Sequence, residues 1–333
     1  VLRFNCLRTN RLWNRIVPQT SSAVISGLLT LRAGAFALDI APEVGGALAG
    51  LHLGWPSEAT PGGIEPLRRM SDAALAARDV RLAGSFALLP YSNRMRECTL
   101  HFAGKRYRLA PNFGSHPHSI HGIGWQRAWD VESADDANAT LRLVHAATGN
   151  QVAEWPFAFE ARQIFAARDG GFSQTLEIAN TGTSPMPAGI GLHPYFQRAA
   201  GTRVVAATTG VWRNDEAMMP ISLDPVPPAW NMAEGKLVAA LSLDNCFAGW
   251  TGQARIEWPE WDLALDIAAD PVFGHLVVYV PPGKPFFCIE PVSNRNDGLN
   301  MLAKGHADTG TVVLAPGETL KGTVVFSFSR LSA

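Results

Sequence analysis

Short runs in which apolar and polar residues take turns recur along most of this chain, and that period of two is the feature that most limits its fold. In DLALDI, residues 262–267, Leu263, Leu265 and Ile267 fall on one side while Asp262 and Asp266 fall on the other, as a half-buried strand requires. FALDI at 36–40 and TVVFSFSRL at 323–331 repeat the pattern, the latter through Val324, Phe326 and Phe328. FAFEARQIF at 157–165 and FSQTLEI at 172–178 flank ARDGG and read as a hairpin. No regular strand–helix alternation accompanies these runs, so the expectation is an all-β protein: one large antiparallel β-sandwich over residues 25–333 with few short helices. The best helical exception is 63–77, GIEPLRRMSDAALAA, where Ile64, Leu67, Met70 and Leu75 form an imperfect apolar stripe suited to a surface helix or helical turn.

Length and composition agree with a sandwich of that size, since 333 residues at 47% hydrophobic can fill a large core. A formal charge of −1 argues against a chain held to a polyanion, so nucleic acid is not an expected partner. No nearly continuous apolar span reaches membrane-crossing length, so membrane insertion is not expected. The four cysteines, Cys6, Cys98, Cys246 and Cys288, are too sparse and scattered for a disulfide framework or a CxxC metal site; reduced thiols in a cytoplasmic protein fit most simply. Residues 1–24 contain Arg3, Arg8, Arg11 and Arg15 and no acidic residue, lack the apolar centre of a secretory signal, and read as a peripheral extension. Oligomeric state leaves no signature in the sequence.

Ionisable side chains collect in loop-like segments rich in Gly, Pro and aromatic residues: PYSNRMRE at 90–97, FGSHPHSIHGIGW at 113–125, GIGLHPYFQ at 189–197, LDNCFAGW at 243–250 and FFCIEPVSNRNDGLN at 286–300. That combination suits fixed loops around a shaped cleft. Each residue also has a plain structural reading. Arg94 can clamp oxygens with its guanidinium fork or form a surface ion pair. Asp244 can accept hydroxyl hydrogens or close an Asx-turn. His193, held extended by Pro194, and His121, beside Gly122 and Gly124, can present an imidazole or simply pack within their turns. Trp125, Tyr195, Phe247 and Trp250 can floor a ligand cleft or fill the core. His116, His118 and His121 fall in one loop, yet no zinc-type helical spacing accompanies them, so no metal site is expected.

Glu290 poses the sharpest question. It follows Phe286, Phe287, Cys288 and Ile289, and a carboxylate on an apolar run must be hydrogen-bonded, neutralised, solvent-facing or retained for proton transfer.

Taken in order, SNRMRECTLHFAGKRYRLAPN, HSIHGIGW, GLHPYF, LDNCF and FFCIEPVSNRNDGLN resemble the aldose 1-epimerase, or galactose mutarotase-like, family over roughly residues 31–331. The resemblance implies a β-sandwich with an open sugar cleft, a small-molecule aldose as partner, and no cofactor. It further implies Glu290 as catalytic base, His193 as catalytic acid, and Arg94, His121 and Asp244 as sugar contacts. Asn245 departs from the pattern, since many relatives carry an acidic residue or histidine after the aspartate. Under this reading, ionised Glu290 takes the proton of the anomeric hydroxyl while protonated His193 delivers one to the ring oxygen. A noncatalytic carbohydrate-binding sandwich and a sugar-phosphate 1-epimerase are the alternatives; the second requires a further cationic pocket.

Overall fold

Strands Phe159–Arg168 and Gly171–Asn180 pair from Phe159↔Asn180 to Arg168↔Gly171, closing the expected hairpin at Asp169 and Gly170. Along both strands buried residues alternate with half-exposed ones, which is the physical content of the period of two. A computed structural model of the chain describes residues 27–56 and 60–331; the 1–24 extension lies outside the described residues. This hairpin belongs to a nine-stranded sheet that also holds Leu263–Ala269 and Thr319–Arg330. An eight-stranded sheet runs from Pro220–Pro225 through Gly210–Asn214, Leu243–Ala248, His275–Val280 and Phe286–Val292 to Gly191–Leu192 and Ala87–Leu88, with Tyr195–Gln197 as the eighth strand, also paired to Phe286–Val292. Every named strand pair in both sheets is antiparallel. The helices among the described residues are short: Asp72–Ala76, Gln151–Glu154 and Gly298–Ala303.

The main apolar cluster takes side chains from both sheets, including Leu265, Ile267 and Phe326 from one and Phe247, Phe287 and Ile289 from the other. A second cluster, with Phe86, Trp125, Val277 and Val292, lies on the other face of the eight-stranded sheet. Strand Phe286–Val292 therefore separates two environments. Phe287 and Ile289 enter the inter-sheet core, while Cys288, Glu290 and Val292 share the opposite face.

Only the end of the 63–77 stretch is helical, at Asp72–Ala76, with Ser71 Oγ accepting the Ala74 amide at 3.2 Å as N-cap. The apolar residues before it serve the sheet instead. Ile64 bridges Leu53 and Leu67 bridges Phe196, and Pro66 lies between them, where a ring without an N–H disfavours helix.

Candidate active site

Cross-strand register assembles the floor of the site. Asp244 stands opposite Tyr279, Tyr279 opposite Cys288, and Cys288 opposite Tyr195. One row along, Cys246 stands opposite Val277, and Val277 opposite Glu290. Residues directly opposite in an antiparallel pair share a face, so Asp244, Tyr279, Tyr195 and Glu290, from four different strands, converge on one cleft of about 230 Å³.

The walls come from loops whose backbones are pinned. His121 has φ +62° and Asn93 φ +61°, left-handed conformations that each side chain helps to hold. The Asn93 amide donates to His121 Nδ1 at 3.0 Å, and the His121 amide donates to the Asn93 carbonyl at 2.8 Å. An amide can only donate, so Nδ1 keeps its lone pair and the ring hydrogen sits on Nε2. Asn93 Oδ1 accepts from the Arg94 amide at 3.0 Å and from its Nη1 at 3.1 Å, and Arg94 Nη2 reaches Asp244 Oδ2 at 3.2 Å. Arg94 is thereby held by one neutral oxygen and one carboxylate, both at the cleft.

His193 is fixed by stacking. Its ring lies on Tyr195 with centroids 4.5 Å apart at 11°, tilts on Phe86 at 4.9 Å and meets His121 edge-on at 5.3 Å. Arg68 caps the other face of this stack, 3.8 Å over the Tyr195 ring. His193 Nε2 faces Glu290 Oε1 at 3.4 Å, with the two side chains only 9% and 2% exposed.

Burial sets the protonation of this pair. Desolvation pushes the Glu290 carboxyl well above its usual range, Asp244 adds to the rise, and Arg94 opposes it. Desolvation, with Arg68 and Arg94 nearby, drives His193 down to about 3. Burial therefore disfavours the charge on each group, and so opposes the ionised glutamate and protonated histidine that proton transfer calls for. The physical reason is that neither charge has enough solvent to be stabilised. His121 is likewise held well below its ordinary value by burial, with His193 and Arg94 adding to the effect, so it is neutral and its Nε2 is a hydrogen donor.

The loop after Glu290 fastens the site across the chain. Asn294 Oδ1 accepts the Ser92 amide at 3.0 Å and Asn294 Nδ2 donates to the Ser92 carbonyl at 3.2 Å. Ser293 exchanges bonds with Ile190, through its hydroxyl and its amide. Asp297 Oδ1 accepts from the Arg96 amide at 3.0 Å and from Asn300 Nδ2 at 2.7 Å, and Asn300 also holds Thr99 and His101. These short polar side chains set the segments bearing Arg94 and His193 against the segment bearing Glu290.

Of the residues expected at the site, Glu290, His193, Arg94, His121, Asp244, Tyr195 and Trp125 line the cleft. Trp125 is 2% exposed, and its indole N–H is shared between the Ile120 and Gly122 carbonyls at 3.2 Å each; it backs the wall more than it offers a ring face. Phe247 and Trp250 do not belong to the site. Phe247 stands an odd number of residues from Asp244 on one strand and so points into the inter-sheet core, fully buried. Trp250 is buried in the same cluster and donates to the Gln253 carbonyl at 2.8 Å. Asn245, the departure from the family pattern, donates to the Trp212 carbonyl at 2.9 Å. Tyr279, Phe86 and Asn93 also line the cleft and had no individual signal except Asn93, whose place before Arg94 suggests a local hydrogen-bond partner.

The histidine-rich loop is occupied by backbone. His118 Nδ1 accepts the Glu97 amide at 2.9 Å and its Nε2 faces the Ala217 carbonyl at 3.1 Å, while His116 Nδ1 accepts the His118 amide at 3.1 Å. Among the described residues, the group able to bring metal-ligand atoms together is His193, Cys288 and Glu290, all within 4.8 Å. Burial raises the Cys288 thiol well above its usual range and Glu290 adds to the rise, so the sulfur is a protonated thiol and a poor ligand until it loses that hydrogen.

Comparison with known proteins follows the geometry. A family model described as aldose 1-epimerase matches residues 28–327. The chain is 28% identical over 312 residues to the uncharacterized protein YphB of Escherichia coli K12, covering 88% of this chain and 95% of that protein. It superposes on a crystal structure of a candidate aldose 1-epimerase from Escherichia coli K12 with a TM-score of 0.78 at 26% identity, covering 91% and 99% of the two chains. A galactose mutarotase-like protein from Clostridium acetobutylicum gives a TM-score of 0.79 at 19% identity, covering 91% and 95%, and shares the fold. With the match running through nearly all of both sheets, this chain belongs to the aldose 1-epimerase family.

Proposed function

We propose that this chain interconverts the α and β anomers of an aldose by opening and reclosing the ring, with Glu290 and His193 as the proton-transfer pair. The observation that carries the reading is the buried contact of His193 Nε2 with Glu290 Oε1 at 3.4 Å, beside a hydrogen-bonding wall of Arg94, Asp244 and His121. The anomeric oxygen O1 and the ring oxygen O5 are both bonded to C1, so two groups this close can reach both from one side.

Ring opening needs a proton removed from O1 and one delivered to O5. A sugar whose hydroxyls replace lost water stabilises the state with the proton on His193 and the charge on Glu290, and Arg94 favours that charge. Glu290 then takes the O1 hydrogen as His193 Nε2 gives its own to O5. The pair is left as carboxyl and neutral imidazole, the form that burial already favours. Rotation about C1–C2 presents the other carbonyl face, and reclosure runs the same transfers backwards. No cofactor enters these steps.

Exchange NMR on an equilibrated aldose, with the spontaneous rate subtracted, tests the proposal. Glu290→Gln is expected to lower the catalysed rate by about 10²- to 10⁴-fold while binding persists. An unchanged rate removes Glu290 from the mechanism, and bound sugar without any rate acceleration by the native protein makes the site a carbohydrate-binding cleft.

A further inference from the structure

The cleft holding Glu290 is small for a ligand site, about 230 Å³ against the roughly 300–1,000 Å³ of ordinary small-molecule pockets. It is not closed on itself. A groove of about 630 Å³ adjoins it, and Arg81, Phe113, His116 and Trp125 line both. Beyond that border the groove is formed by Arg78, Asn112, Ser115 and Gln126 among others.

Resting on the reading of the site as an aldose cleft, we propose that the preferred substrate is a reducing disaccharide or longer oligosaccharide. Its reducing-end unit sits against Glu290 and His193, and the next glycosyl unit sits in the adjoining groove. Phe113 stands at the junction with 39% of its surface exposed, so its ring is open to a ligand in the groove. It is not a loose side chain: it tilts against Trp125 at 6.1 Å and meets His116 edge-on at 6.1 Å. A fixed aromatic face suits the C–H face of a pyranose, and a rigid ring loses little conformational freedom on contact. Ser115 and Gln126 add neutral hydroxyl and amide groups of the kind that exchange hydrogen bonds with sugar hydroxyls.

Charge in the groove selects against a phosphorylated sugar. Arg81 is paired to Asp79 at 2.7 Å and Arg78 to Glu43 at 2.5 Å, so each arginine bordering it already has a carboxylate. Each carboxylate lowers the net positive charge that a phosphate would meet there, whereas an uncharged glycosyl unit needs none.

The test is exchange NMR of anomer interconversion for glucose, galactose, maltose, cellobiose, lactose, melibiose and glucose 6-phosphate, with the native protein, Ser115→Trp and Phe113→Ala. At least one disaccharide is expected to exceed the monosaccharide that forms its reducing end by 10-fold or more in kcat/KM. Ser115→Trp, which fills the groove away from Glu290, is expected to erase that advantage and leave monosaccharide turnover unchanged; Phe113→Ala is expected to reduce the advantage. Monosaccharides turned over as well as every disaccharide, a preference for the phosphate, or a disaccharide preference that survives Ser115→Trp overturns the groove assignment while leaving the epimerase reading standing. Failure to accelerate any sugar overturns the epimerase reading and the groove assignment together.

Discussion

His193 Nε2 and Glu290 Oε1 lie 3.4 Å apart in a place where burial favours the neutral form of each. A pair that chemistry needs charged, at least transiently, thus sits where burial opposes both charges. The consequences for stability and for pH dependence differ in sign and can be measured separately.

Glu290→Gln is expected to stabilise the protein at neutral and alkaline pH. The folded carboxyl is raised above its unfolded value, so its contribution is fully present below about pH 4.3–4.5 and is lost as pH climbs toward the folded value. Each unit of that climb costs about 1.4 kcal/mol, or a few degrees in Tm for a chain of this size, and glutamine has no such dependence. Thermal unfolding at pH 5 and pH 8 checks this: the variant's Tm advantage should be larger at the second than at the first. Equal advantages at both would show that Glu290 is not held protonated.

The acid limb of kcat/KM is expected to lie far below pH 6.5, and the alkaline limb above the ordinary carboxylate range. Activity requires one proton on the pair. A second binds only as pH falls toward the depressed value of His193, about 3, and the first leaves only as pH rises through the raised value of Glu290. Initial rates from pH 4.5 to 9, corrected for the spontaneous reaction, would show an ordinary histidine inflection if His193 were exposed to solvent during catalysis.

Asp244→Asn should move the alkaline limb of that profile to lower pH. The Asp244 charge is part of what raises Glu290, and Arg94 pulls the other way; removing the carboxylate that holds Arg94 at 3.2 Å strengthens the opposing pull. A downward shift is expected, together with a KM raised about 10- to 100-fold through loss of charge-assisted hydrogen bonds. A limb that stays in place would separate Asp244 from the proton affinity of Glu290.

His121→Asn and His121→Ala should part company. Asparagine tolerates φ +62° and its Oδ1 can accept the Asn93 amide as Nδ1 does, so the fold should keep its Tm within about 1–2 °C. Alanine loses the acceptor and leaves that amide unpaired, at about 1–3 kcal/mol. Both variants lack the Nε2 donor and should lose about 10- to 100-fold in kcat/KM. If asparagine keeps full activity, the Nε2 hydrogen has no part in sugar recognition.

How much of this was legible in the sequence follows from which physical rule governs each residue. Alternation is local, so the strands around Leu263–Ala269 and Phe159–Arg168 could be read directly, and the same parity separates Cys288 and Glu290 from Phe287 and Ile289. Parity also excludes Phe247 from the face of Asp244; nearness along the chain to that aspartate was the misleading cue. The 63–77 stripe misled because Ile64 and Leu67 are buried by bridges to Leu53 and Phe196, contacts that leave no periodic trace. The proton affinities of Glu290 and His193 were out of reach because they are shifted by the groups packed around them. Asn294 was out of reach for a different reason: one short amide joined to Ser92, 202 positions away, carries no pattern of its own.

That last fastening has a consequence for how the protein comes into being. The Arg94 and His121 loops are synthesised before the segment that sets them against Glu290, whose Asn294 follows Ser92 by 202 positions. Closing so long a loop is entropically costly and makes for slow, topologically late assembly. A nascent chain halted before residue 294 would carry much of the sugar-facing wall without the Asn294 brace, so competence should arrive abruptly once that segment has been added rather than by degrees.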